Sequence, residues 1–214
     1  FVFSVYKVFN LICRLFLGLE VSGVERLLQL RRPFIVCPNH QSFLDPFVVC
    51  STYSFEFFRN SFHLGASYLF QGRIMSYVGR MLHIVPVDAD TRLTQAMKAA
   101  ATGLKHGKIL NIYPEGERAY DGELHEFKNG AAVFAVELDV PIVPVAIDGL
   151  QNVWPRRSMR IRPAKVKVRF GEPINALDIL AVEQGGSAAI HSGYDLVTAR
   201  VRDAIGAMIE EMRK

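Results

Sequence analysis

"FIVCPNHQSFLDPFVVC", residues 34–50, is the stretch on which the reading of the chain turns. Phe34 to Cys37 form an apolar run of four, β-branched at its centre, and are expected as a short buried strand. A polar turn follows, and "SFLDPFVVCSTY" is expected as a helix. Ser42 is placed at its N-cap and Asp45 at the third helical position, where a carboxylate can reach back towards the preceding chain. His40 stands between strand and helix, five residues before Asp45. That spacing lets a carboxylate bond the imidazole, fix its tautomer and stabilise the imidazolium. The same residues also suit a plain capping turn, and on this segment alone both readings stand. No second histidine lies one helical turn away, which argues against a metal site.

Working outward, strand and helix alternate. Strands are expected at "SFHL" (61–64), "HIVPV" (83–87), "KILNIYP" (108–114), "VPIVPVAI" (140–147) and "KVKVRFG" (165–171). Helices are expected at 67–79, 91–107, 129–139 and 194–214, and a flexible loop at 183–194. Such alternation argues for an α/β layered sheet with flanking helices. Residues 21–214 are assigned to one domain, a size that buries a sizeable core. Residues 1–20 form a separate amphipathic element. Within the first 17 residues the polar Ser4, Lys7, Asn10 and Arg14 cover roughly one third of a helical wheel. That pattern suits a helix on the core, or one in a membrane interface with Lys7 and Arg14 near head groups. It is too charged and too short for a span. The chain begins with Phe1 rather than Met, which suggests a processed or excised form of a longer polypeptide.

Composition narrows the partners. The 25 basic and 21 acidic residues leave a net charge of +4, which fits an anionic partner without choosing one. Cys13, Cys37 and Cys50 all lie in apolar surroundings and form no CxxC pair, so buried free thiols are expected. The run Arg156, Arg157, Arg160, Arg162, Lys165, Lys167 and Arg169 contains no acid. It suits either a charge-protected edge strand or attraction to anionic lipid and CoA phosphates. No nucleic-acid-binding motif accompanies it. The aromatic run 53–62 is read chiefly as core packing. The histidines other than His40 show no comparable carboxylate spacing.

In "YPEGERAYDGELHEFKNGAA", residues 113–132, a strand runs into a charged turn. Gly116 admits a conformation or close approach that a side chain would block. Glu115 and Arg118 lie at the strand's carboxyl end, where α/β folds bind ligands, and Arg118 could grip a phosphate with two N–H groups. Lys128 and Asn129 then open a helix whose N-terminus favours anions. An exposed charged loop would read the same way in isolation.

Together these segments resemble the glycerolipid acyltransferases of the 1-acylglycerol-3-phosphate acyltransferase (PlsC) type. "NHQSFLD" matches their NHxxxxD motif and "YPEGER" resembles FPEGTR. "FKNGAA" resembles FKxGA, and "VPIVPVAI" looks like the fourth block, all in order over roughly residues 20–175. The resemblance implies that His40 is the general base for an acceptor hydroxyl and that Asp45 orients it. It also implies that Asn39, Glu115, Gly116, Arg118 and Lys128 belong to the acceptor site. The implied acceptor is a lysophospholipid such as 1-acylglycerol-3-phosphate, and the donor an acyl-CoA or acyl-carrier protein. No metal or resident cofactor is implied, nor any nucleic acid. An anionic membrane surface, at its cytoplasmic face, is the implied location. Two departures bear on the acceptor. The second block reads "HIVPVDADTR" where an Ile-Asp-Arg-like ending is usual, with Arg92 and Arg80 as candidate substitutes. Glu117 stands where the family has threonine. A different lipid acceptor therefore stays open, as does a catalytically silent lipid-binding module.

Overall fold

All six strands expected from the sequence enter one sheet, and a seventh, Glu20–Ser22, completes it. The computed structural model describes residues 2–87, 93–119, 121–154, 161–183 and 190–214. In chain order the elements are α1 (Val2–Phe16), β1 (Glu20–Ser22), β2 (Phe34–Pro38), α2 (Asp45–Thr52), α3 (Phe55–Asn60) and β3 (Ser61–Ala66). There follow α4 (Arg73–Met81), β4 (Ile84–Val87), α5 (Leu93–Lys105), β5 (Ile109–Asn111) and α6 (Gly130–Leu138). The remainder are β6 (Ile142–Asp148), α7 (Leu150–Val153), β7 (Lys167–Phe170), α8 (Ala176–Glu183) and α9 (Ile190–Arg213). The strand order is β1-β7-β6-β2-β5-β3-β4, and only the β6–β7 pair is antiparallel.

Strand alternation sorts the core into two layers. Phe34 and Val36 of β2 join Cys13, Val48, Val49 and Phe58 from α1–α3 on one side. Ile35 and Cys37 join Leu104, Phe134 and the α9 stripe Val197, Val201, Ile205 and Ile209 on the other. With helices on both faces, every residue of β2 is buried, as an inner parallel strand requires. The chain runs outward from β2 to β3 and β4, returns through β5, and crosses to the far side of β2 as β6. The carboxyl end of β2 therefore lies at a topological switch point, the usual ligand position in such sheets.

Several local expectations need correction. Regular helix begins at Asp45, so Ser42 lies in the preceding turn, where its hydroxyl accepts from Leu44 N (3.3 Å). The stretch 67–79 is not one helix: a 3₁₀ turn at Ser67–Phe70 is divided from α4 by Gly72, whose φ of 81° interrupts it. β5 ends at Asn111 rather than at residue 114. α9 begins at Ile190, so the end of the expected loop 183–194 is helical, and residues 184–189 lie outside the described residues. β7 is not an edge strand, because β1 pairs with it. Its Lys167 and Arg169 engage Met212 O and Glu211 at the end of α9. Arg156, Arg157, Arg160 and Arg92 lie outside the described residues, while Arg80 is exposed on α4.

All three cysteines are buried and free, and the core environment pushes the Cys50 thiol up to about 12. Its sulfur lies 3.3 Å from Nε2 of His63, a buried histidine on β3. Burial, with His83 nearby, pushes the His63 imidazole down to about 3. The unfolded chain binds a proton near pH 6.5 that the folded chain refuses until about pH 3, so stability falls on acidification across that window. The limiting slope for one group is about 1.4 kcal/mol per pH unit. Urea unfolding of His63→Leu should show a gain over wild type that grows by about 2 kcal/mol from pH 7 to pH 5. Parallel curves would refute this.

Cys13 of α1 and Leu17, just after the helix, enter the core. Val8, Leu11, Ile12 and Leu15 face outward, beside the polar stripe of Lys7 and Arg14. Among the described residues no helix is long and apolar enough to cross a membrane.

Candidate active site

Beyond Pro38 the sheet is continued by a side chain. Asn39 N donates to Val145 O, its amide NH₂ donates to Ile147 O (3.0 Å), and its Oδ1 accepts from Ile147 N (2.7 Å). Asn39 thus mimics one more backbone pair between β2 and β6, and the next residue, His40, is carried on that ladder. Its backbone is fixed on both sides: His40 N donates to Glu115 Oε1 (2.7 Å), and His40 O accepts from Ala119 N (2.8 Å).

The His40 imidazole places Nδ1 2.6 Å from Asp45 Oδ2. The same oxygen accepts from Gln41 N (2.7 Å) and Ser42 N (2.9 Å). Asp45 is wholly buried, and the His40 side chain is 18% exposed. Three donors on one oxygen fix the carboxylate. A carboxylate at Nδ1 selects the Nδ1–H tautomer of the neutral ring and leaves the Nε2 lone pair available. The Tyr113 ring leans on the imidazole, with centroids 4.4 Å apart. The arrangement keeps the backward reach of Asp45 expected from a cap and gives the same oxygen to the histidine.

The second segment meets the first across the sheet end. Buried Glu115 spans two strands of chain, since its Oε2 also accepts from His125 N (3.3 Å). Burial raises its pKa, and the N–H groups of His40 and His125 oppose that rise. Gly116 adopts φ 74°, and a Cβ there would stand 2.8 Å from Lys128 Nζ. Glycine is thus needed for the turn and for the lysine that crosses it. Lys128 N donates to Pro114 O, just before α6. Arg118 stands over Phe43, its Cζ 3.3 Å from the ring centroid. The structure thus gathers Asn39, His40, Asp45, Glu115, Gly116, Arg118 and Lys128 at one end of the sheet.

Other participants are tertiary and were not foreseen. Arg202 donates to the carbonyls of Leu124 and His125, and Arg213 to that of Gly122, so α9 holds the loop that follows Arg118. His125 does have a carboxylate partner, Asp121, at 2.9 Å and four residues away. That four-residue spacing is visible in the sequence, and it differs from the five-residue spacing of His40 and Asp45. A surface concavity of about 600 Å³ opens at the opposite end of the sheet, among Arg31, Arg32, Glu56, Asn60 and His106. It is remote from the carboxyl ends of the strands, and none of the gathered residues lines it.

Fold and site together define an α/β protein that presents a carboxylate-held imidazole at the switch point of its sheet. The acyltransferase family model matches residues 18–148, and the chain belongs to that family. It is 30% identical over 174 residues to a chloroplastic 1-acyl-sn-glycerol-3-phosphate acyltransferase of Arabidopsis thaliana, covering 78% of this chain and 47% of the relative. A chloroplastic 1-acyl-sn-glycerol-3-phosphate acyltransferase of Brassica napus is 29% identical over 165 residues, 72% of this chain and 44% of the relative. The chain thus spans about half the length of these relatives. The crystal structure of the 1-acyl-sn-glycerophosphate acyltransferase PlsC from Thermotoga maritima shares the fold, with a TM-score of 0.73 over 97% of this chain and 78% of that one, at 24% identity.

Proposed function

We propose that this chain transfers a fatty acyl group from an acyl thioester, acyl-CoA or acyl-carrier protein, to the hydroxyl of a lysophospholipid such as 1-acylglycerol-3-phosphate. The observation that carries the reading is the 2.6 Å contact between His40 Nδ1 and buried Asp45. The names of the relatives, both 1-acyl-sn-glycerol-3-phosphate acyltransferases, support the substrate class. His40 Nε2 takes the hydroxyl proton as the oxygen attacks the thioester carbonyl. Asp45 stabilises the imidazolium so formed. The tetrahedral adduct collapses, the C–S bond breaks, and the imidazolium returns its proton to the departing thiolate. A thioester needs only a base and oxyanion donors for this step, so no metal or resident cofactor is invoked. Arg118 and Lys128 supply cations for the acceptor phosphate, and Gly116 leaves room for the lysine.

Incubating the protein with a labelled acyl thioester and a panel of lysolipids, with products identified by mass, tests the reading. A phosphorylated product is expected, and Arg118→Ala should raise KM for that acceptor about ten- to a hundredfold with much less effect on the thioester KM. Equal effects on both substrates would remove Arg118 from the acceptor site. Preference for a non-phosphorylated acceptor would favour the alternative lipid, and absence of transfer would favour a lipid-binding module.

We propose further that the chain works at an anionic membrane surface, at its cytoplasmic face; the outward apolar face of α1, with Lys7 and Arg14 at head-group level, supports the membrane contact. Replacing Leu11 and Leu15 with glutamate should weaken sedimentation with vesicles containing anionic lipid at least about tenfold. Unchanged sedimentation would exclude this face as the contact.

A further inference from the structure

We infer that Phe43 and Trp154 form an aromatic platform that fixes the plane of the Arg118 guanidinium and so sets the preference of the acceptor site for a phosphate. The inference rests on the acceptor reading above. Three separate pieces of chain meet here. Phe43 comes from the turn between β2 and α2, Arg118 from the turn after Glu115, and Trp154 from the end of α7. The guanidinium carbon stands 3.3 Å over the Phe43 ring, and the Phe43 and Trp154 rings lie 5.9 Å apart at 55°.

The chemistry follows from the stacking. A guanidinium flat on an aromatic face has one face covered and keeps its N–H donors in its own plane, directed past the ring edge. Recognition of a phosphate by two parallel N–H groups needs that edge held in one orientation. Phe43 is three residues from His40 and two from Asp45, whose carboxylate is fixed by Gln41 N and Ser42 N in the same turn. The platform is therefore built on the turn that holds the base, and it sets the distance from phosphate to His40 Nε2. Lys128, a flexible point charge across Gly116, cannot fix a plane in this way. Neither Phe43 nor Trp154 belongs to the buried core, and Phe43 is 38% exposed. An exposed phenylalanine under a cation is better explained by positioning than by packing.

The experiment compares Phe43→Leu, Phe43→Tyr, Trp154→Leu and Arg118→Ala in the full chain, with 1-acylglycerol-3-phosphate and 1-acylglycerol as acceptors. Phe43→Leu is expected to raise KM for the phosphorylated acceptor about five- to tenfold, to change kcat and the thioester KM far less, and to leave the non-phosphorylated acceptor unaffected. Phe43→Tyr, which keeps the aromatic face, is expected to restore the wild-type KM. Trp154→Leu should shift the same KM in the same direction and serves if Phe43→Leu does not fold. Trp154 is the sole tryptophan of the chain, so its emission reports on the platform without turnover. Titration with 1-acylglycerol-3-phosphate should change that emission in wild type and not in Arg118→Ala. If Arg118→Ala leaves the phosphorylated-acceptor KM unchanged, the acceptor reading itself falls. If Arg118→Ala raises it while both Phe43→Leu and Trp154→Leu do not, the platform is overturned and the acceptor reading survives.

Discussion

Replacing His40 with alanine is expected to lower acyl transfer about a thousandfold or more, with the fold and vesicle binding retained. General-base assistance contributes about 10²–10⁴-fold. Among the described residues, His40 is the one histidine bonded to a wholly buried carboxylate at the switch point of the sheet. The substitution removes only a side chain that is 18% exposed. The backbone bonds to Glu115 and Ala119 use the main chain and survive it. Thermal melting should therefore change little, and steady-state assays with saturating thioester and acceptor would read the loss. Turnover within tenfold of wild type would sink the general-base assignment.

Asp45→Asn is expected to have the second largest effect, a fall in kcat of about 10²–10⁴-fold with the fold kept. An amide oxygen can still accept from Gln41 N, Ser42 N and the imidazole Nδ1–H, so the local geometry has a neutral substitute. What is lost is the negative charge that stabilises the imidazolium once His40 has taken a proton. Asp45→Ala makes the contrast. It leaves three donors with no acceptor in a buried site, at about 1–3 kcal/mol each, and should lower Tm sharply. Single-turnover rates and thermal melts of the two variants separate charge from scaffold. If Asp45→Asn turns over near the wild-type rate, the carboxylate is a cap and no more.

The strands were legible where the chain is densely apolar. "FIVC" and "VPIVPVAI" are inner strands with both faces covered, and such runs carry a strong local signal. β1 was missed because three residues, Glu20 to Ser22, carry almost none: their strand character comes from pairing with Lys167 to Arg169. The same pairing turned an expected edge strand into an inner one. α3 was hidden because "FEFFRN" is aromatic-rich and six residues long, and its start is set by the Ser54 hydroxyl, which accepts from Phe57 N. Within the site, the contacts of His40 with Asp45 and of Gly116 with Lys128 were visible because they depend on short spacing along the chain. Phe43 under Arg118, Tyr113 on His40, and Arg202 and Arg213 on the loop at 122–125 were not. Those contacts join segments tens of residues apart, and only the sheet brings them together.

The amide of Asn39 has a further consequence. By copying a backbone pair to Ile147 it carries the protection of the sheet one residue beyond the end of β2. The His40 N–H, held by a buried carboxylate, is shielded as if it too lay in the ladder. In a hydrogen-exchange experiment these amides should exchange only when the whole sheet opens, unlike those of a surface loop. The proposed base would thus stand ready before any acceptor arrives. On that proposal, selection among acceptors falls to what can reach His40, and binding need not assemble it.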